Sequence, residues 1–176
     1  MKNRMTVSGA AFGAALLMTI PAFADTERVA YPAGFETTFV RYAVIDREGK
    51  PTARFMYVDR ESLAAAKAGA ALPNGAILVM EDHKVRVVGD APVLDAASRY
   101  IPTDEVTNVF VMQKGAGWGD AYPADVRNGD WEYAWFKADG ARRTDKTMEN
   151  CFACHKKQAG ADYTFSFQPF LERRAP

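Results

Sequence analysis

The chain has 176 residues, 48% of them apolar and 25% charged, with 22 basic residues balancing 22 acidic ones. This is the make-up of one globular domain with a real core, and it leaves no excess positive charge for gripping nucleic acid or an anionic membrane. No repeat, composition break or low-complexity linker divides it.

Lys2 and Arg4 precede an apolar run from Met5 to Ile20 that ends in Pro21-Ala22-Phe23-Ala24. That is the layout of a secretory signal peptide with an Ala-x-Ala cleavage site, and the run is short and Gly/Ala-rich for a membrane anchor. Cleavage after Ala24 is expected, giving a periplasmic domain over residues 25–176. Its loss takes two basic residues and no acidic one, a net charge of −2.

Thr37 to Asp46 is rich in aromatic and β-branched residues and runs into Arg-Glu-Gly-Lys-Pro, the pattern of a strand closed by a turn. A strand over Arg54 to Val58 follows, then a helix capped by Asp59 and built of strong helix formers to Lys67, broken by Gly69 and Pro73-Asn74-Gly75. Ala76 to Met80 and Lys84 to Val88 read as one long strand or two, Val106 to Gln113 as another, and Trp131 to Lys137 as the last, closed by Ala138-Asp139-Gly140. The pattern predicts an α+β fold, mainly antiparallel sheet with short helices. It lacks the long amphipathic segments of a four-helix cytochrome.

Both cysteines lie in Cys151-Phe152-Ala153-Cys154-His155. In Cys-x-x-Cys-His each thiol can add across one haem vinyl group, and the histidine becomes an axial ligand of the iron. A thioredoxin-like couple would follow a strand in a strand–helix–strand unit, which is missing around Cys151. Zinc would need four ligands, and His83 is the one other histidine. The motif therefore predicts one covalent haem c on a short helix near the C-terminus, with His155 proximal. Tyr163 and Phe165 are expected to pack on that side. His83, between Asp82 and Lys84, reads as a solvated residue. Met56, Met112 and Met148 read as packing, and Trp118, Trp131 and Trp135 as core or interface.

The blocks Tyr57-Val58-Asp59-Arg60-Glu61-Ser62, Pro73 to Glu81, Gly129-Asp130-Trp131-Glu132-Tyr133, and the haem motif followed by Asp162-Tyr163-Thr164-Phe165 resemble the cytochrome P-460 family and its relative cytochrome c′-beta. The resemblance implies about five antiparallel strands with flanking helices, one c-type haem per chain and a homodimer. Members oxidise hydroxylamine or bind nitric oxide and similar small ligands.

In the enzymatic members a lysine, just before the glutamate of a Gly-x-x-x-x-x-Glu strand, is cross-linked to the haem. Here Gly75 and Glu81 keep that frame with Met80 in the lysine's place. Lys84 is four residues further, about 13 Å along a strand. The family's distal glutamate falls near Gln113, and glutamine cannot act as a base. Phe39 and Phe55 are either the aromatic distal lid of the nitric-oxide-binding relatives or plain core.

The readings, in order, are a nitric-oxide-type ligand binder without the cross-link, an electron-transfer cytochrome with His155 and Met80 both on the iron, and an oxidoreductase reacting with hydroxylamine or peroxide. The redox partner protein is not named by the sequence. Neither nucleic acid nor, after cleavage, a membrane is an expected partner.

Overall fold

The computed structural model describes residues 27–174, so the expected leader over residues 1–24 lies outside the described residues. Among these no helix is long and apolar enough to cross a membrane. The chain opens with a helical turn, α1 (Phe35–Thr38), and the first strand starts after it as β1 (Val40–Arg47). The sequence reading began that strand at Thr37. Gly34, at φ +73°, reverses the chain, and the Thr37 and Thr38 hydroxyls both donate to its carbonyl, so local hydrogen bonds claim these threonines for a turn.

β2 (Thr52–Val58) leads into α2 (Arg60–Ala65), capped as expected by Asp59, which accepts from the Ser62 N–H at 2.7 Å. Its other carboxylate oxygen accepts from the Ile77 N–H at 2.8 Å, tying α2 to β3 (Ile77–Val85). β3 runs unbroken through Glu81 and His83. A small ribbon of β4 (Val87–Val88) and β5 (Ala91–Pro92) precedes β6 (Pro102–Lys114), and β7 (Trp131–Phe136) completes the sheet. The chain then forms α3 (Glu149–Lys156) and α4 (Phe167–Arg174).

The main sheet is an antiparallel meander in the order β1-β2-β3-β6-β7. Side chains alternate across it, so the register sorts them onto two faces. One face packs Phe35, Tyr57, Val79, Val109, Val111, Ala134 and Phe136 beneath the N-terminal segment. The other packs Val58, Leu78, Met112 and Tyr133 against Phe152 of α3 and Phe167 and Leu171 of α4. Burying this second face is what brings the cysteine-bearing helix onto the sheet. At the β1 edge, Arg99 donates to the Val44 carbonyl at 2.9 Å and grips the Asp46 carboxylate, which also accepts from the Tyr100 N–H.

Candidate haem site

On α3 the side chains of Cys151, Cys154 and His155 stand at i, i+3 and i+4, a single helical face. Phe152, one residue after Cys151, turns into the core and anchors the helix, its ring 4.8 Å from Tyr122 and 4.9 Å from Tyr133. The far end is tied down by Lys156, whose Nζ donates to the carbonyls of Ala124 and Arg127. Both cysteines are free thiols, Cys154 exposed and Cys151 half-buried, where burial, and then the neighbouring Cys154, push the Cys151 thiol above its ordinary range.

The His155 ring lies 4.8 Å from Tyr133 and 5.2 Å, edge-on, from Phe165. Its Nδ1 is 2.6 Å from the Tyr163 carbonyl oxygen. A carbonyl only accepts, so Nδ1 carries the proton and Nε2 keeps its lone pair for a metal. Burial lowers the pKa of this imidazole, the Tyr163 hydrogen bond acting weakly against it, so the ring stays neutral as a ligand must. Tyr133 is itself held by Asn128, which donates to its hydroxyl at 2.9 Å. The Phe165 ring and the Tyr163 carbonyl thus stand beside the histidine, while the Tyr163 ring lies over Gly129.

The sheet under α3 changes character from one cross-strand row to the next. Val58, Leu78, Met112 and Tyr133 form one row, and all are buried. The adjacent row on the same face, Met56, Met80, Phe110 and Trp135, is only half-buried although it crosses the centre of the sheet. Phe165, a large aromatic beside the imidazole, is 48% exposed. An apolar macrocycle fits this place: two thiols and a free Nε2 on one helix face adjoin a strip of half-buried thioether and aromatic surface, bordered by the Arg54 guanidinium at Phe110 and by Arg143 and Lys146 at Trp135.

Beyond that strip the face becomes polar. Arg54 holds Asp82 through two hydrogen bonds of 2.7 and 3.0 Å, with Arg47 3.6 Å away, and its guanidinium lies 5.7 Å over the Phe110 ring. Asn108 accepts from the Trp135 indole N–H at 2.9 Å. The sequence reading did not select Arg54, Asp82, Asn108 or Phe110. Alternation from Met80 would have given Asp82, but its partners depend on strand register, which one sequence does not display.

Met80 is therefore on the face that carries α3. Gln113, Phe39 and Phe55 are not. Gln113 stands between Met112 and Lys114, which share the α3 face, and so projects to the opposite side, as do its cross-strand partners Ile77 and Glu132. Phe55 flanks Met56 and packs instead against His83, 4.2 Å between ring centroids, under the Arg41 guanidinium. Phe39 packs with Phe35 on that opposite face, 6.4 Å between centroids. The strand period of two separates Gln113 and Phe55 from α3, while Phe39 caps α1 just before β1 begins. Lys84 is exposed and paired with Glu105.

His83, expected at the surface, is 9% exposed. Its Nε2 lies 2.9 Å from Glu81 and its Nδ1 2.9 Å from the Thr103 carbonyl, while Tyr57 donates to the same Glu81 oxygen. This buried polar cluster is on the face away from α3.

The family model described as Cytochrome P460 matches residues 32–166, which takes in the whole sheet, both cysteines and His155. No curated protein matches the chain.

Proposed function

Because the chain belongs to the cytochrome P460 family, a family of haem cytochromes, we propose that it is a mono-haem c-type cytochrome that binds nitric oxide or a similar small ligand, without a haem–lysine cross-link. Cys151 and Cys154 would hold the haem by thioethers, and His155 Nε2 would bind the iron. When bound, the haem would supply an iron able to bind a small ligand.

The observation that carries this reading is the pairing of a lone-pair-bearing Nε2 on α3 with the half-buried row of Met56, Met80, Phe110 and Trp135 on the sheet. Those four side chains are apolar and bring neither an amine nor a general base. Asp82 is the carboxylate nearest in register to them, and two arginines neutralise it, which speaks for ligand binding over proton abstraction.

A second reading is favoured by one observation. Met80 is a thioether on the haem-side face, and a His155/Met80 pair would make an electron-transfer centre with a raised potential. Export through residues 1–24 to the periplasm accords with covalent haem attachment, and a homodimer accords with the family.

Ferric and ferrous optical spectra of the purified haem protein, before and after nitric oxide, decide between the readings. We expect an ordinary c-type Soret band, a high-spin ferric form and a ferrous nitrosyl spectrum. A low-spin spectrum in both oxidation states that nitric oxide leaves unchanged overturns the ligand-binding reading in favour of the His/Met centre. A strongly red-shifted Soret band overturns the absence of the cross-link.

A further inference from the structure

The hydrogen bond that orients His155 is donated to a carbonyl whose own direction is forced. Asp162 and Tyr163 have φ of +49° and +59°, two successive residues with side chains in the left-handed region. Something must hold them there.

The Asp162 carboxylate accepts from the Leu72 N–H at 2.8 Å and from Lys114 Nζ at 2.9 and 3.0 Å, and Lys114 donates also to the Leu72 carbonyl at 3.0 Å. Both charged side chains are 11% exposed. The Tyr163 N–H donates to the Gln158 carbonyl at 2.8 Å, and its ring lies so close over Gly129, itself at φ +56°, that a Cβ there would sit 3.2 Å from it. With both residues pinned, the chain doubles back after α3 and the Tyr163 carbonyl faces His155 Nδ1 at 2.6 Å.

We propose that the buried Lys114–Asp162 pair is a latch that sets the direction of the Tyr163 carbonyl, and so the orientation and donor strength of the His155 imidazole. The inference rests on the reading of His155 as the iron ligand. A buried ion pair is a poor stabiliser, since desolvation of both charges cancels much of their attraction. What it supplies is direction. Lys114 ends β6, the strand that also carries Phe110 and Met112, so the latch references the proximal ligand to the same sheet that lines the site. Donation from Nδ1–H to a carbonyl makes Nε2 more basic, which strengthens its bond to iron and favours the ferric state. Lys114 and Asp162 are positioning residues.

The test uses the full haem-loaded chain, with Lys114→Met, Asp162→Ala and the conservative Lys114→Arg. In the first two, the ferrous iron–imidazole stretching band should move to lower frequency, the midpoint potential should rise, and the His155 Nδ1 proton should lose its protection from exchange by NMR. Lys114→Arg should keep all three near wild type. A pair that merely stabilises would lower the melting temperature and leave the band, the potential and the proton where they were, and that result overturns the latch. Should Asp162→Ala fail to fold, Lys114→Met, which keeps the Asp162–Leu72 hydrogen bond, carries the test. Wild-type protein that contains no covalent haem overturns the iron-ligand reading, whereas the Nδ1 proton of the protein as isolated still reports on the latch.

Discussion

Met80 and Phe110 are direct partners across β3 and β6, both half-buried on the face that bears α3. A lysine at residue 80 would thus extend over the strip beside the two thiols. Met80→Lys, loaded with haem and treated with peroxide, should acquire the red-shifted Soret band of an amine-linked haem. An unshifted spectrum would remove residue 80 from the haem edge.

Covalent attachment should depend on both thiols. Wild-type haem should resist acid-acetone extraction. Cys151→Ala and Cys154→Ala should each leave one thioether at most, with partly extractable haem and a ferrous pyridine spectrum displaced from that of the wild type. Full extraction of the wild-type haem would sink the motif reading.

His155→Ala should lose the fixed axial bond, with spectra altered in both oxidation states and recovery on adding imidazole. Its support should be separable by substituting Tyr133, a buried residue. Tyr133→Phe forfeits the Asn128 hydrogen bond, about 1 kcal/mol. Tyr133→Ala removes a buried aromatic and should cost about 3–5 kcal/mol in denaturant unfolding. Equal losses from the two variants would contradict the packing described.

His83 predicts a pH dependence. Both ring nitrogens face acceptors, the Glu81 carboxylate and the Thr103 carbonyl, so the doubly protonated ring satisfies both. Burial and Arg41 oppose the cation, but the hydrogen bonds and the Glu81 charge outweigh them and hold the pKa above its ordinary value. A raised folded-state pKa stabilises fully below the unfolded value, about 6.5, and that contribution is lost as pH rises through the folded value. The stability gap between wild type and His83→Gln should therefore narrow as pH rises above about 6.5. A gap that widens over that window would reverse the assignment.

The strands were legible in the sequence because aromatic and β-branched runs alternate with Gly, Pro and Asn turns, as in Trp131–Phe136 and the break at Pro73-Asn74-Gly75. A short helix at the Cys-x-x-Cys-His motif was legible too, and α3 is found there. The sheet face was not, since it depends on register. Gln113 lies one residue from Met112 and faces away from α3, and Phe55 lies one residue from Met56 with the same result. Lys114 and Asp162 are 48 residues apart, and no local pattern announces their pairing.

The contact between Arg99 and β1 also bears on how copies of the chain can meet. An edge strand offers unpaired carbonyls and N–H groups to any other strand of suitable length, which is how sheets fuse across molecules. Here the Val44 carbonyl is already taken by a guanidinium anchored on Asp46, in the middle of the edge. A second β1 laid alongside would have to displace a charged side chain before forming a ladder. Sheet extension through this margin is thereby discouraged.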